Sequence, residues 1–162
     1  VTLYEIALSD REGEITFHQS GGQRDERQVQ QWPEGWDFSG SIRRPKEHIK
    51  EYPWVTFEHS ITVKTATLDG WCREHNIDHV DFIWMDVQGA EMDVIKGGSE
   101  ALGKTHYLYT EYGTKELYEG QSTLKQLLKH LPQYKVLIRY PNDILLQSIR
   151  FPFKRMKHWP AY

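Results

Sequence analysis

The chain has 162 residues, 38% of them hydrophobic, and a formal net charge of -3, which fits one domain with an ordinary core and excludes a non-specific nucleic-acid binder. Its single cysteine, Cys72, excludes an internal disulfide and gives no support to a cysteine-based zinc site. No apolar run approaches membrane-spanning length and no signal peptide is visible, so the expectation is cytoplasmic, with neither membrane nor nucleic acid as partner.

Val1 to Leu8 alternates loosely, with Leu3, Ile6 and Leu8 apolar, and reads as a strand. Asp10 to Gly13 is a turn by composition, and Glu14 to His18 is a second strand with Ile15 and Phe17 at alternate positions. Together they predict a hairpin. Residues 20–53 form an insertion or long loop, too aromatic for a disordered linker because of Trp32, Trp36 and Phe38. Its Arg43, Arg44 and Lys46 read as solvated charges, with contact to an acidic acceptor as the alternative. Lys46 to Tyr52 predicts a short helix after Pro45, and Trp54 to Thr65 a strand. Thr67 then stands as an N-cap before Leu68, Trp71, Cys72 and His75, a helical stripe at i, i+3, i+4 and i+7. Cys72 faces the core, and His75 is a histidine at a helix C-terminus, favoured there by the dipole.

The central stretch is VDFIWMDVQGAEMDVIK, Val80 to Lys96. Phe82 to Met85 is an unbroken apolar run, the pattern of a parallel strand covered on both faces. Asp86 ends it, Gly89 and Ala90 follow, and a helix starts at Glu91 with Met92, Ile95 and Leu102 at helical spacing. In open α/β sheets, ligands bind beyond the carboxyl ends of strands, where Asp86 stands. Asp86 as a simple helix cap is the competing reading, and the spacing leaves both open. His106 to Tyr112 predicts the next parallel strand, with Glu111 at its end. Leu124, Leu127, Leu128 and Leu131 mark a helix stopped by Pro132. Tyr134 to Tyr140 and Ile144 to Ile149 predict an antiparallel pair joined by a Pro-Asn-Asp turn. Residues 151–162 are an aromatic, basic tail after a domain spanning 1–150.

Five blocks resemble the FkbM-type methyltransferase family, in that family's order: ALSDREGEITF from Ala7, SGSI from Ser39, VKTATLD from Val63, DFIWMDVQGAEMDVIKGG from Asp81 and TEYGTKELYEGQ from Thr110. The family transfers a methyl group from S-adenosylmethionine, usually to a hydroxyl. The resemblance implies a Rossmann-like α/β fold of the class I methyltransferase type, mostly parallel, with an antiparallel C-terminal hairpin. The family's glycine-rich loop after its first strand, and the acidic residue after its second, have no counterpart; Gly21-Gly22 and Gly97-Gly98 do not follow an apolar strand. The chain therefore corresponds to the C-terminal two-thirds of such a domain, lacking the first strands.

The implied cofactor is S-adenosylmethionine, with Ala7, Leu8, Ser9 and Asp10 beside the adenine and Asp86 and Val87 at the central strand end. Turn formation is the competing role for Asp10. The implied catalytic groups are Asp86, Glu91 and Glu111. One carboxylate serves as general base with its pKa raised by a like-charged neighbour, or Asp86 and Glu111 hold a Mg²⁺ ion; the first is preferred and no metal is expected. Stabilising a first helical turn is the competing role for Glu91. Tyr118 either touches the acceptor or belongs to a core or interface. The acceptor is a small-molecule or sugar hydroxyl. By itself the chain is expected to bind the cofactor weakly and to be inactive. The rival readings are a non-catalytic Rossmann-like module acting in protein association and a nucleotide-sugar enzyme. In the family's sheet the absent strands lie between the first block and the central strand. The gap is expected to be covered by a homodimer using Trp32, Trp36, Trp54 and Trp159, or closed by Val1 to Leu8 pairing beside Phe82 to Met85.

Overall fold

The computed structural model describes residues 1–23 and 35–150. It is an α/β arrangement of two sheets. The first has the order β1-β3-β2, with β1 at Ala7–Leu8, β2 at Gly13–Gly21 and β3 at Thr56–Ala66. The second has the order β4-β5-β7-β6, with β4 at Val80–Met85, β5 at Thr105–Glu111, β6 at Tyr134–Arg139 and β7 at Asp143–Ser148. The helices are α1 (His48–Glu51), α2 (Leu68–Glu74), α3 (Glu91–Gly97), α4 (Ser99–Gly103) and α5 (Leu124–Lys129).

The predicted N-terminal hairpin does not form. β1 and β2 flank β3 instead: Ala7 and Leu8 pair in parallel with Thr65 and Ala66, and Gly13 pairs antiparallel with the same Thr65. The long β3 ladder offers β2 a near-complete run of partners, whereas Ala7–Leu8 is too short to act as a hairpin arm. Nor does Val1 to Leu8 pair beside β4, whose one paired neighbour among the described residues is β5.

The second sheet follows the sequence more closely. β4 and β5 are parallel, and β7 is antiparallel to both β5 and β6. Met85, Leu108, Ile144 and Leu146 point into one core with Met92, Val94 and Ile95 of α3, Leu102 of α4 and Leu127 of α5. Full burial of each such side chain contributes about 1.5–3 kcal/mol. The expectation that β4 is covered on both faces is not met. Phe82 is 51% and Trp84 71% exposed, because the described residues supply helices to only one face of this strand.

The helix ends are capped from the sequence. Thr67 Oγ1 accepts from the Gly70 N–H at the start of α2, Asp69 accepts from the N–H groups of Glu100 and Ala101 at the start of α4, and Thr123 and Gln126 form a capping box on α5. Gly97 lets β1 approach α3, since a Cβ there would stand 2.1 Å from the Ser9 carbonyl oxygen. No helix among the described residues is long and apolar enough to cross a membrane. Trp32 and the whole tail from 151 to 162, Trp159 included, lie outside the described residues.

Candidate functional site

Parallel pairing of β4 with β5 fixes the centre of the site. Met85 is opposite Thr110, so the next residues, Asp86 and Glu111, emerge side by side at the carboxyl ends. The antiparallel strand β7 adds Asp143 directly opposite Glu111. Glu111 is half-buried. Burial, then the negative charges of Asp86, Asp143 and Glu91, and a hydrogen bond with Asp86, push its carboxyl up to about 7.

Asp86 does not cap α3. The N-cap is Ala90, without a side-chain bond, and Asp86 Oδ1 instead accepts from Gln88 Nε2 at 2.6 Å. Between them the chain turns through two positive φ values, +48° at Gln88 and +93° at Gly89. A side chain at Gly89 would place its Cβ 2.8 Å from the Cβ of Tyr118. Glycine is therefore required there on two grounds.

Glu91 is 1% exposed and accepts from the Gly89 N–H at 3.1 Å. Burial raises its carboxyl pKa, and the charge of Asp86 adds to the effect. It holds the turn from below and lines neither of the two cavities beside Asp86.

A strap from Ser39 to Arg43 crosses the turn. The Tyr118 hydroxyl donates to the Ser39 carbonyl at 2.8 Å and lies 3.0 Å from Gln88 Oε1. Ser41 Oγ donates to the Gln88 carbonyl at 2.7 Å. Arg43 donates in two-pronged fashion to Asp93 of α3, at 2.9 and 2.6 Å. Arg43 is thus not a solvated loop charge, since its partner Asp93 is buried. Lys46 pairs with Glu116. Tyr118 is 1% exposed, and burial raises its hydroxyl pKa.

Two cavities open on opposite sides of this strap, and Asp86 lines both. The first, about 470 Å³, is walled by Trp36, Tyr52, Trp54 and His48 and floored by Asp86 and Glu111. The Trp36 and Trp54 rings meet edge to face at 5.2 Å. The second is a groove of about 1020 Å³ bounded by β1, β3 and the turn after β4, lined by Ile6, Leu8, Ile61, Val63, Asp86 and Val87.

Of the residues expected on the cofactor side, Ala7, Leu8, Asp86 and Val87 line the groove. Ser9 is buried beneath it, and Asp10 is exposed and off its lining. No cluster of three or more metal-ligating side chains occurs among the described residues. Residues 2–137 match the sequence profile described as the Methyltransferase FkbM domain.

The chain belongs to the FkbM methyltransferase family. It is 48% identical over 152 residues to a protein named 2-O-methyltransferase NoeI from Sinorhizobium fredii (strain NBRC 101917 / NGR234), an alignment covering 91% of this chain and 60% of that protein's length. No solved structure matches. Within the FkbM domain, sequence reasoning missed Gln88, Ser39, His48 and the Trp36–Trp54 wall. The SGSI and TEYGTKELYEGQ blocks already contained Ser39 and Tyr118, but nothing in their spacing said that these two residues meet.

Proposed function

We propose that this chain carries the acceptor half and part of the donor half of an S-adenosylmethionine-dependent O-methyltransferase with a Rossmann-like core, acting on a hydroxyl of a small molecule or sugar. One observation carries this reading: Asp86, at the carboxyl end of β4, lines both the aromatic cavity and the groove. A donor on one side and an acceptor on the other then meet beside the Asp86–Glu111 pair.

The groove suits the cofactor. Its apolar walls of Ile6, Leu8, Ile61 and Val63 offer the faces that a purine ring packs against, and its size matches ordinary small-molecule sites. Bound there, S-adenosylmethionine supplies an electrophilic methyl group on a sulfonium. This chain's residues supply the rest. The aromatic wall packs the apolar face of the acceptor and excludes water from one side. Glu111, with its carboxyl at about 7, takes the hydroxyl proton at neutral pH, where a base of matched pKa works best. Asp86 holds that proton-accepting carboxylate in place and raises its basicity. Glu91 acts indirectly, by fixing the Gly89 turn.

The test is Asp86→Asn in a protein of the relative's full length. It keeps size and hydrogen-bonding capacity but removes the charge. Methyl transfer from labelled S-adenosylmethionine should fall by about a hundredfold or more, with the circular dichroism spectrum unchanged. Turnover at the parent rate would reduce Asp86 to a structural acid.

A further inference from the structure

His48 is 3% exposed, and its Nδ1 is a buried polar atom without a hydrogen-bond partner. Its ring is enclosed by Tyr52 at 5.0 Å, Phe57 at 5.3 Å and Tyr118 at 5.3 Å between ring centroids. None of these rings serves it. The hydroxyl of Tyr118 is already engaged with Ser39 and Gln88. Burying an imidazole nitrogen without a partner is costly, and such groups in native proteins mark a bound water or a functional contact. His48 is also held firmly. Its backbone N–H donates to the Leu117 carbonyl, and the neighbouring Lys46 N–H donates to the same oxygen. The helix is therefore pinned to the loop after β5. The same residue lines the 470 Å³ cavity that has Asp86 and Glu111 on its floor.

We propose that His48 is an acceptor-binding residue: its imidazole hydrogen-bonds a hydroxyl of the acceptor inside the aromatic cavity and so orients that molecule over the Asp86–Glu111 floor. This rests on reading the cavity as the acceptor side. A neutral imidazole suits the task, because it both donates and accepts and so matches a hydroxyl of either orientation. The aromatic rings around it keep water from competing. Burial lowers its pKa, which keeps the ring neutral at physiological pH. The ligand class that fits is an uncharged molecule with adjacent apolar and hydroxyl faces. Trp36, Tyr52 and Trp54 contact the first face and His48 the second. His48 is a binding residue and not the base, since Glu111 already fills that role.

The experiment uses ring-nitrogen NMR of ¹⁵N-histidine-labelled protein, with indole signals recorded alongside. Two probes are titrated, methyl β-D-glucopyranoside as a neutral sugar and phenol as an aromatic hydroxyl. The expected result is a saturable shift of the His48 ring nitrogens together with the Trp36 and Trp54 indoles for at least one probe. His48→Phe should then weaken that binding by about tenfold, the value of one hydrogen bond, without lowering the urea midpoint, because the phenyl ring suits the aromatic nest better than an unpartnered imidazole. A probe that saturates the indole signals while His48 stays still, or that binds His48→Phe equally well, overturns the role of His48 and leaves the acceptor cavity standing. If neither probe moves the indoles or His48, both the role of His48 and the acceptor reading of the cavity fail.

Discussion

Replacing Glu111 by glutamine tests the electrostatics of the site without needing an acceptor. The Glu111 carboxyl sits at about 7 instead of the ordinary 4.5. The native state therefore holds this proton more tightly than the unfolded chain does. By linkage, stability must fall as pH rises from the unfolded value through about 7, and must stay lower above it. The gap corresponds to about 3 kcal/mol at most. Because Asp86 shares the effect and the group is only half-buried, about 2 kcal/mol belongs to Glu111. Glutamine keeps the shape and removes the charge, so Glu111→Gln should be more stable than the parent by about 2 kcal/mol near pH 8 and equal to it near pH 4.

Urea unfolding followed by tryptophan fluorescence measures this, because the difference between the two proteins cancels the titrating groups that do not interact with Glu111. A difference independent of pH would refute a Glu111 carboxyl raised by burial and by the charges of Asp86, Asp143 and Glu91. So would a glutamine variant less stable than the parent at high pH. In a full-length enzyme the same substitution should remove the rise in rate through about pH 7 that a carboxylate base of that strength produces.

Gly89→Ala places a Cβ against Tyr118 at a φ of +93°, and a loss of about 1–3 kcal/mol on thermal unfolding is expected; an unchanged midpoint would show that the turn is not fixed by this contact. Arg43→Met leaves Asp93, 7% exposed, without its cation, and should cost about 3 kcal/mol in urea, most of it recovered by adding Asp93→Asn; no recovery in the double variant would show that packing, not charge, is lost. The edge of β4 that has no partner strand among the described residues, beside the exposed Phe82 and Trp84, is a template for self-association. A concentration-dependent dimer weakened by Trp84→Lys is expected in sedimentation, and a monomer at all concentrations would reject it.

The parts of the fold legible in the sequence are those set by local rules. The apolar run ending at Asp86 gave β4 and the turn, Thr67 and Thr123 capped the helices they precede, and Pro141-Asn142 joined β6 to β7. Alternation identified β2 as a strand but carries no information about its partner. That partner, β3, lies about 40 residues further along and was itself predicted only as an unpaired run. Arg43 and Asp93 are separated by 50 residues, so Arg43 read as a loop charge. Glu91 read as a catalytic group or a first-turn acid because its defining contact, the Gly89 N–H, depends on a left-handed turn that composition only suggests. Asp86 and Glu111 were legible because parallel register needs only that two strand ends stand level.

The strap links the two halves of the site. Ser39 binds Tyr118, Ser41 binds the Gln88 carbonyl, and Arg43 binds Asp93, so three separate polar contacts tie one short segment to the turn, to the loop after β5 and to α3. Gly40 and Ser41 line the groove, while Ser39 lines the aromatic cavity. The segment is therefore a shared wall. A ligand that shifts it from one side must disturb hydrogen bonds that shape the other, because the packed residues beneath it leave no slack to absorb the movement. On the proposed reading, this wall is thus the physical route by which occupancy of the groove would alter the cavity that holds His48 and Glu111.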